Sequence, residues 1–315
     1  MKPEPRRLLA VAGAIVIAIP TYRRIPQLMA LIATLSEQAR LADATIIVAD
    51  NACDVAVHAA LESFRPKLPI HCIPVPARGV SQARNALVDE AGRLVPDWRW
   101  LVMLDDDGEA THDWLKRILA CGEEYGADLV GGPVIGVLPP GSSRLAQSSV
   151  FATRGRWPTG PVPMLNTTQN LAIARKLLDR IALPLFDRKF GASGGEDYDL
   201  FRRTVRAGGR LVWCDEAEVF EPAPADRLTT GALFRRYYTT GTYMAVIDVA
   251  YDGWSHGLAT GTRGAAASLA RAALHLSRNE PDSAARSVLM VAHYAGRLAG
   301  LLGVRTARYT KKESS

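Results

Sequence analysis

The first 125 residues alternate between short apolar runs, rich in β-branched residues, and longer segments whose apolar residues recur at helical spacing. The runs predict strands at residues 15–19, 45–49, 70–75 and 100–104. The longer segments predict helices at residues 54–64, 80–91 and 111–122, and an earlier one that has Pro26 at its first position. Strands that alternate with helices are joined by right-handed crossovers, so the pattern predicts an α/β fold with a mostly parallel central sheet and flanking helices.

Polar residues follow each of these predicted strands. They are Pro20, Thr21, Tyr22 and Arg23, then Asp50 and Asn51, then Arg78 and Gly79, and finally Asp105, Asp106 and Asp107. In open α/β sheets, ligands bind beyond the carboxyl ends of the strands. We therefore expect one edge of the sheet to carry the binding site.

Three consecutive carboxylates, Asp105, Asp106 and Asp107, directly follow the fourth predicted strand. Like charges this close repel each other, so the triplet requires full exposure or a positive partner. If strand alternation continues, Asp105 and Asp107 point to the same side and form an oxygen site suited to Mg²⁺ or Mn²⁺ carried in with a diphosphate. The alternative is an acidic turn before a helix that Thr111 caps.

A second acidic pair, Glu196 and Asp197, follows a Gly-Gly dipeptide at the start of a predicted helix. Asp197, Phe201 and Val205 recur every four residues, which predicts that Asp197 lies on the inward face of this helix. A carboxylate held at the floor of a cleft by a helix suits a general base. The alternative is an ordinary acidic first turn that interacts with the helix dipole.

The C-terminal third has an almost wholly helical pattern beyond residue 228, after a mixed segment that begins with "LVGGPVIGVL", predicted as one strand with a glycine break. Arg286, His293 and Arg297 interrupt the last apolar stretch, which argues against a transmembrane span. Two interpretations of these helices stay open. They lie on a membrane surface as basic amphipathic helices, or they pack against the rest of the chain or another subunit.

Composition agrees with a folded protein, since 48% of the residues are hydrophobic. The net charge of +6 suits anionic partners, such as nucleotides, phospholipids or nucleic acid, or simply a solvated basic surface. The four cysteines lack metal-binding spacing and are predicted to be reduced core residues of a cytosolic protein. The N-terminal apolar stretch, residues 8–19, is similar to a signal peptide, but it continues into a Pro-Thr turn and is interpreted as the first strand.

Six short segments together resemble a known family, in that family's order, over about residues 13–240. They are "IPTYRR", "VADNA", "GVSQARNALV", "LDDDGEATHDWL", "TQNLAIAR" and "GGEDYDLFRRTVRAGG". The family is the family 2 glycosyltransferases, which have the GT-A fold. The resemblance is greatest to members that build bacterial exopolysaccharides, such as those of succinoglycan assembly.

The resemblance implies an inverting, divalent-metal-dependent transfer from a UDP- or GDP-linked sugar to a hydroxyl of a saccharide or lipid-linked acceptor. It implies Mg²⁺ or Mn²⁺ as the cofactor and bacterial polysaccharide or glycoconjugate assembly as the setting. Asp197, next to Glu196, is the implied base. The implied contacts to the nucleotide sugar are Pro20, Thr21, Arg23, Asp50, Arg84, Asn85, Asp105 and Asp106.

Asp107 is the implied metal ligand, with Asp105 beside it and Asp106 able to substitute for either. Many relatives place a histidine ligand about two dozen residues after the Glu-Asp pair, whereas this chain has "EVFEPAP" there. Glu221 then replaces the histidine as an oxygen ligand, or phosphate and water complete the metal shell.

The implied organisation is a GT-A domain at residues 1–225, with a nucleotide-sugar half at 1–126 and an acceptor half at 127–225. A C-terminal helical region follows at 226–315. We expect no nucleic-acid partner, and a cytoplasmic location that extends to peripheral association with the cytoplasmic face of the inner membrane if these helices bind lipid.

Two other functions are compatible with such a sheet. A sugar nucleotidyltransferase would require a glycine-rich phosphate loop after the first strand, where this chain offers only two arginines. A non-catalytic scaffold would work at a membrane surface through the basic helices. A dinucleotide-dependent dehydrogenase is excluded because the first turn lacks GxGxxG.

Overall fold

The computed structural model describes residues 14–306, so the first part of the signal-peptide alternative and the last nine residues of the C-terminal region lie outside the described residues. The predicted strands of the first half are present as β1 (Ala14–Thr21), β2 (Thr45–Asp50), β3 (Ile70–Pro74) and β4 (Trp98–Leu104). They pair in parallel in the order β3-β2-β1-β4. The helices are α1 (Ile25–Leu41), α2 (Val55–Leu61), α3 (Val80–Leu94) and α4 (Trp114–Glu124).

The second half extends the sheet and changes its character. Its elements are β5 (Glu109–Ala110), β6 (Leu129–Gly131), β7 (Val134–Val137), α5 (Arg144–Gln147), β8 (Gly160–Pro161), β9 (Asn170–Ala174), α6 (Glu196–Arg206), β10 (Leu211–Trp213) and β11 (Val219–Pro222). The sheet continues β4-β9-β6-β10-β8, in which β6 and β10 are parallel and the other neighbours antiparallel. The sheet is therefore parallel across the first half and mixed beyond β4.

The segment predicted as one interrupted strand forms two strands in different sheets. β6 belongs to the large sheet, and β7 pairs with β11 in a small sheet of order β5-β11-β7. Pro133 lies between them and has no N–H for a strand ladder, so the chain leaves one sheet and enters the other there.

The core lies on both faces of the parallel strands. Ile15, Ile17 and Ile19 of β1 face one apolar cluster, while Val16 and Ala18 face the other. Alternate side chains of a strand point to opposite faces, so a strand covered by helices on both sides must be apolar throughout. This is why the apolar runs predicted the strands correctly.

Three long helices end the described chain: α7 (Thr230–Asp252), α8 (Trp254–Ser277) and α9 (Pro281–Leu301). Helices α7 and α9 touch backbone to backbone, because a Cβ added at Gly241 would lie 1.9 Å from the His293 carbonyl oxygen. Within residues 14–306, every helix is too short or too polar to cross a bilayer.

Two smaller predictions were wrong. Thr111 does not cap α4; its hydroxyl donates to the Glu218 carbonyl, and Asp113 takes the N-cap position. The cysteines are all free thiols, but Cys53 is exposed rather than in the core, because it lies in the turn after β2 with φ of 55°.

Candidate active site

The strand ends gather the predicted residues at one edge of the sheet. In the parallel register of β1 and β2, Thr21 is opposite Asp50, and both side chains are buried. β4 lies on the other side of β1 and ends at Leu104, immediately before the acidic triplet. The topology thus brings together residues that are more than 80 positions apart in the chain.

The acidic triplet forms a turn rather than a continuation of β4. The Gly108 N–H donates to the Asp105 carbonyl at 3.2 Å, which closes the turn. Strand alternation therefore does not orient the side chains, and the prediction that Asp105 and Asp107 point to the same side for that reason was wrong. Asp106 and Asp107 share one partner, whereas Asp105 has another.

The shared partner is Arg24, which the sequence reasoning did not select. Its Nη1 lies 3.1 Å from Asp106 Oδ1 and 2.5 Å from Asp107 Oδ2. Asp106 is also bound by the Thr21 hydroxyl at 2.7 Å, so its carboxylate is occupied within the protein. Arg23, which was selected, has φ of 56° and is exposed. The adjacent arginines Arg23 and Arg24 indicate a cation after β1, but the sequence alone does not show which of the two side chains turns inward.

The cluster carries more negative charge than Arg24 balances. Burial raises the pKa of Asp107 to about 6, with further upward contributions from Asp105 and Glu221, while Arg24 lowers it. Burial likewise raises the pKa of Asp106, against the effect of Arg24. A site in which ionised carboxylates are this costly favours a bound cation.

Arg84 joins the two acidic corners of the sequence. The guanidinium is buried, with Nη2 donating to Asp105 Oδ1 at 2.9 Å and Nη1 donating to Glu196 Oε1 at 2.5 Å. Asp105 follows β4, and Glu196 begins α6. One buried side chain of α3 therefore fixes the distance between the strand end and the helix start.

The rotation of α6 differs from the prediction. Phe201 is buried as predicted, but Val205, also predicted to face inward, is 43% exposed, and Glu196 is buried together with Leu200. The ion pair with Arg84 explains the difference, because it requires Glu196 to turn into the protein. Asp197 is only partly buried, and its Oδ1 accepts the Tyr198 N–H at 2.7 Å. Of the two carboxylates, Asp197 is the one that solvent reaches.

Two other predicted contacts brace the edge. Asp50 accepts the backbone N–H of Ala52 at 2.8 Å and that of Asp54 at 2.5 Å, which shapes the turn after β2. Asn85 donates to the Phe186 carbonyl at 2.7 Å and accepts the Phe186 N–H at 2.9 Å. These hydrogen bonds are structural, and the predicted contacts of Asp50 and Asn85 with a nucleotide stay predictions. Pro20, also predicted to contact the nucleotide sugar, is half-buried near the end of β1.

Glu221 is placed near the cluster but has its own cation. Its Oε2 accepts Arg154 Nη2 at 2.6 Å and Gln169 Nε2 at 3.1 Å, and the side chain is buried. Within residues 14–306, no three His, Cys, Asp or Glu side chains are arranged as a metal-binding group. Asp105, Asp107 and Glu221 are therefore not assembled as a three-ligand set.

A cavity opens next to Asp107. Its volume is about 380 Å³, and Arg24 and Arg227 bring positive charge to its wall. The remaining lining residues are Gln27, Pro222, Ala223, Pro224 and Asp226. The cavity is thus bordered by two carboxylates, those of Asp107 and Asp226, and by two guanidinium groups, which suits an anionic ligand that arrives with a cation.

The fold is that of the GT-A glycosyltransferases. The chain is similar to S. aureus TarS 1–349 in complex with UDP-GlcNAc, with a TM-score of 0.51 and 17% identity over 76% of this chain and 68% of that one. It is also similar to the mannosyltransferase PcManGT from Pyrobaculum calidifontis in complex with GDP-Man and Mn²⁺, with a TM-score of 0.54 and 15% identity over 91% of this chain and 89% of that one.

The sequence profile of the glycosyl transferase family 2 matches residues 16–180. The chain is also 32% identical over 309 residues to the succinoglycan biosynthesis protein ExoM of Rhizobium meliloti (strain 1021), which covers 92% of this chain and 93% of the relative. The chain therefore belongs to the family 2 glycosyltransferases. This finding confirms the predicted family and enzyme class, and it removes the support for the nucleotidyltransferase and scaffold alternatives.

Proposed function

We propose that this enzyme transfers a sugar from a nucleotide diphosphate sugar, with inversion, to a hydroxyl of a saccharide or lipid-linked acceptor. The observation that carries the proposal is the Arg84 side chain, which binds both Asp105 and Glu196. This double contact supports a single crevice, in which the acidic turn at Asp105 binds the diphosphate on one side and the start of α6 supplies the base on the other. The named relative acts in succinoglycan biosynthesis, which supports bacterial polysaccharide or glycoconjugate assembly as the setting.

A divalent cation, Mg²⁺ or Mn²⁺, fits the acidic turn. Asp107 and Asp105 would hold it, because Arg24 binds one oxygen of Asp107 and Arg84 binds one oxygen of Asp105. Both oxygens of Asp106, in contrast, are bound by Thr21 and Arg24. When bound, the cation supplies positive charge that stabilises the departing diphosphate. Glu221 joins this set only if it releases Arg154; otherwise phosphate and water complete the shell.

The base in this proposal is Asp197. It accepts the proton of the acceptor hydroxyl as that oxygen attacks the anomeric carbon, and the bond from this carbon to the diphosphate oxygen breaks in the same displacement. One displacement inverts the anomeric centre and requires no covalent intermediate on the protein. Glu196 pairs with Arg84 and positions the helix start instead of taking the proton.

The nucleotide would lie along the ends of β1 and β2. Tyr22 is 41% exposed there, and the guanidinium carbons of Arg78 and Arg23 are 4.4 Å and 5.4 Å from its ring centroid. An exposed aromatic face flanked by guanidinium groups suits a base and the phosphates attached to it. Thr21 and Asp50 form the buried floor beneath this surface.

The test is turnover of UDP- and GDP-linked sugars by the purified full chain. We expect hydrolysis or transfer with Mn²⁺ or Mg²⁺, its loss on chelation, and an inverted anomeric configuration in the product observed by NMR. Activity that survives exhaustive chelation would reject the metal role, and retention of configuration would reject the single displacement.

We also propose peripheral attachment to the cytoplasmic face of the inner membrane through α8. No acidic residue occurs between positions 254 and 279, and the exposed apolar residues Trp254, Leu269 and Leu276 lie on this helix. Arg263 and Arg271 are exposed on it as well. An apolar flank next to arginines suits the interface of an anionic bilayer.

Sedimentation with phosphatidylglycerol vesicles tests this attachment. We expect binding that weakens with salt and in Leu269→Glu, but not in Leu41→Glu, a matched change at a leucine that is 70% exposed elsewhere. Equal binding of both variants would reject α8 as the contact.

A further inference from the structure

A buried cluster of charged and phenolic side chains joins α6 to the C-terminal helices. Asp248 of α7 is 4% exposed and accepts hydrogen bonds from the Tyr198 hydroxyl at 2.6 Å and from Arg202 Nη1 at 3.1 Å. Arg297 of α9, also 4% exposed, binds the other oxygen of the same carboxylate. Three helices therefore meet at one carboxylate.

Tyr198 connects this cluster directly to Asp197. Its backbone N–H donates to Asp197 Oδ1 at 2.7 Å, while its hydroxyl donates to Asp248. Burial and the hydrogen bond to Asp248 raise the pKa of Tyr198 to about 12, so the phenol stays protonated as a donor at neutral pH. A single residue thus relates the orientation of Asp197 to that of α7.

Helix α7 also packs closely against the N-cap residue of α6. Gly195, the N-cap of α6, has φ of 102°, and a Cβ there would lie 2.7 Å from Tyr243 and 3.1 Å from Ile247. The start of α6 is consequently held on one side by α7 and on the other by the ion pair of Glu196 with Arg84.

The cluster is better explained by the positions that it fixes than by any gain in the free energy of unfolding. Burying a carboxylate and guanidinium groups costs desolvation that their attraction only partly repays, whereas a network of fixed hydrogen bonds defines positions closely. On the other side of the cluster, α7 and α9 contact each other backbone to backbone at Gly241. The α6 side is where the reacting carboxylate lies in the proposed function.

We propose that Asp248 is a positioning residue, which acts through Tyr198 to hold the Asp197 carboxylate in its reactive orientation. The inference rests on the proposed role of Asp197. It makes the C-terminal helices part of the machinery for sugar transfer, in addition to any contact they make with a membrane.

The experiment compares Asp248→Asn and Tyr198→Phe with Tyr251→Phe in the full chain. Tyr251 is a matched control, because it lies on α7 and its hydroxyl donates to Asp199 of α6 at 2.8 Å. The measurements are kcat per nucleotide-binding site, obtained by titrating UDP or GDP with Mn²⁺, the KM for donor, and the pH dependence of kcat. Counting binding sites removes the effect of a misfolded fraction.

We expect the two test variants to lower kcat at least about tenfold, because a small misplacement of a reacting group is costly, and to shift its pH dependence. The KM for donor and the control should stay within about twofold of the wild type. Wild-type kcat per site and an unchanged pH profile in the test variants would overturn the inference. If Asp248→Asn does not fold, Tyr198→Phe decides.

Deuterium exchange separates failure of this inference from failure of the proposed function. If the wild type turns over no donor, the proposed function fails. The structural part of the inference, that Tyr198 orders the segment that carries Asp197, is then decided by exchange at residues 195–199, which must accelerate in Tyr198→Phe and not in Tyr251→Phe. Unchanged exchange in both variants would overturn it.

Discussion

The folded protein disfavours the ionised form of the Asp107 carboxylate. Its side chain is 9% exposed, and the neighbouring carboxylates raise its pKa while Arg24 lowers it. Natural proteins retain such costly groups where a ligand needs them, so the cost itself points to a binding role. Asp107 therefore permits a test in which stability and function change in opposite directions.

We expect Asp107→Asn to stabilise the folded chain at neutral pH while it weakens metal-dependent turnover. The pKa of Asp107 is raised from 3.8 to about 6, so the folded state binds this proton more tightly than the unfolded state does. The contribution of Asp107 to the free energy of unfolding thus falls as pH rises from about 4 to about 6 and is then constant, with a total on the order of 3 kcal/mol. Urea unfolding of wild type and variant between pH 4 and pH 8 checks this.

Asp252→Asn provides a control of opposite sign. The hydrogen bond from Arg202 lowers the pKa of Asp252, so this carboxylate contributes stability above the unfolded pKa and loses it as the pH falls. The variant should be slightly less stable than the wild type at neutral pH. An Asp107→Asn difference that does not vary with pH would contradict the expected cause.

The neighbouring carboxylates Glu196 and Asp197 should respond differently to neutralisation. Asp197→Asn removes the proposed base from a partly exposed site, so we expect kcat to fall by about 10² to 10⁴ with nucleotide binding retained. Glu196→Gln removes the charge that pairs with the buried Arg84, so we expect a lower melting temperature as its main effect. Steady-state kinetics and thermal melts of both variants measure this, and a larger loss of kcat in Glu196→Gln would reverse the assignment.

The contact between helices α7 and α9 depends on glycines, because a glycine has no side chain to keep the two backbones apart. A Cβ at Gly241 would lie 1.9 Å from the His293 carbonyl oxygen and 2.8 Å from the Arg297 nitrogen. These atoms belong to backbone, so they cannot move aside as a flexible side chain would. Gly296 and Gly300 of α9 approach α7 in the same way, since an added Cβ would lie 2.0 Å from the Tyr238 carbonyl oxygen and 2.6 Å from that of Thr242, so these three glycines together permit the separation of the two helices.

Gly241→Ala should therefore destabilise the chain, whereas Gly92→Ala should not. Gly92 lies in α3 and has nothing within 4 Å of an added Cβ. Alanine is the better helix former, so we expect Gly92→Ala to add about 0.5 to 1 kcal/mol and Gly241→Ala to cost about 1 to 3 kcal/mol through overpacking. Denaturant unfolding of the pair distinguishes the two effects, and equal changes would contradict the close approach of the helices.

In the molecule as a whole, the large sheet changes from parallel to mixed pairing at β4, and the candidate site lies at the end of that strand. β1 and β4 are parallel, and β4 and β9 are antiparallel. The parallel half supplies the residues proposed to bind the nucleotide, while the segment after β11 comes from the second half and closes the cavity beside Asp107. A ligand in this cavity touches both halves and should stabilise the chain as one unit.

We expect UDP or GDP with Mn²⁺ to raise the melting temperature, and a chelator to reverse the increase. A ligand that binds only the folded state at 100 times its dissociation constant adds about 2.7 kcal/mol to the free energy of unfolding. The increase should be much smaller in Asp107→Asn, since that variant removes a proposed ligand of the cation. A shift that is equal with and without metal would count against the cation.

The sequence by itself determined the first half of the fold, the family and the acidic corners, because these follow from local patterns. Apolar runs define strands covered on both faces, and Asp105 or Glu196 can be found from short motifs. Tertiary structure decided which side chains meet. In the turn at the triplet, Asp106 and Asp107 both pair with Arg24. At the start of α6, Glu196 points inward and pairs with the buried Arg84. No periodicity encodes these contacts, since the orientation of a charged side chain depends on the free energy of pairing it with partners that only the folded chain brings near.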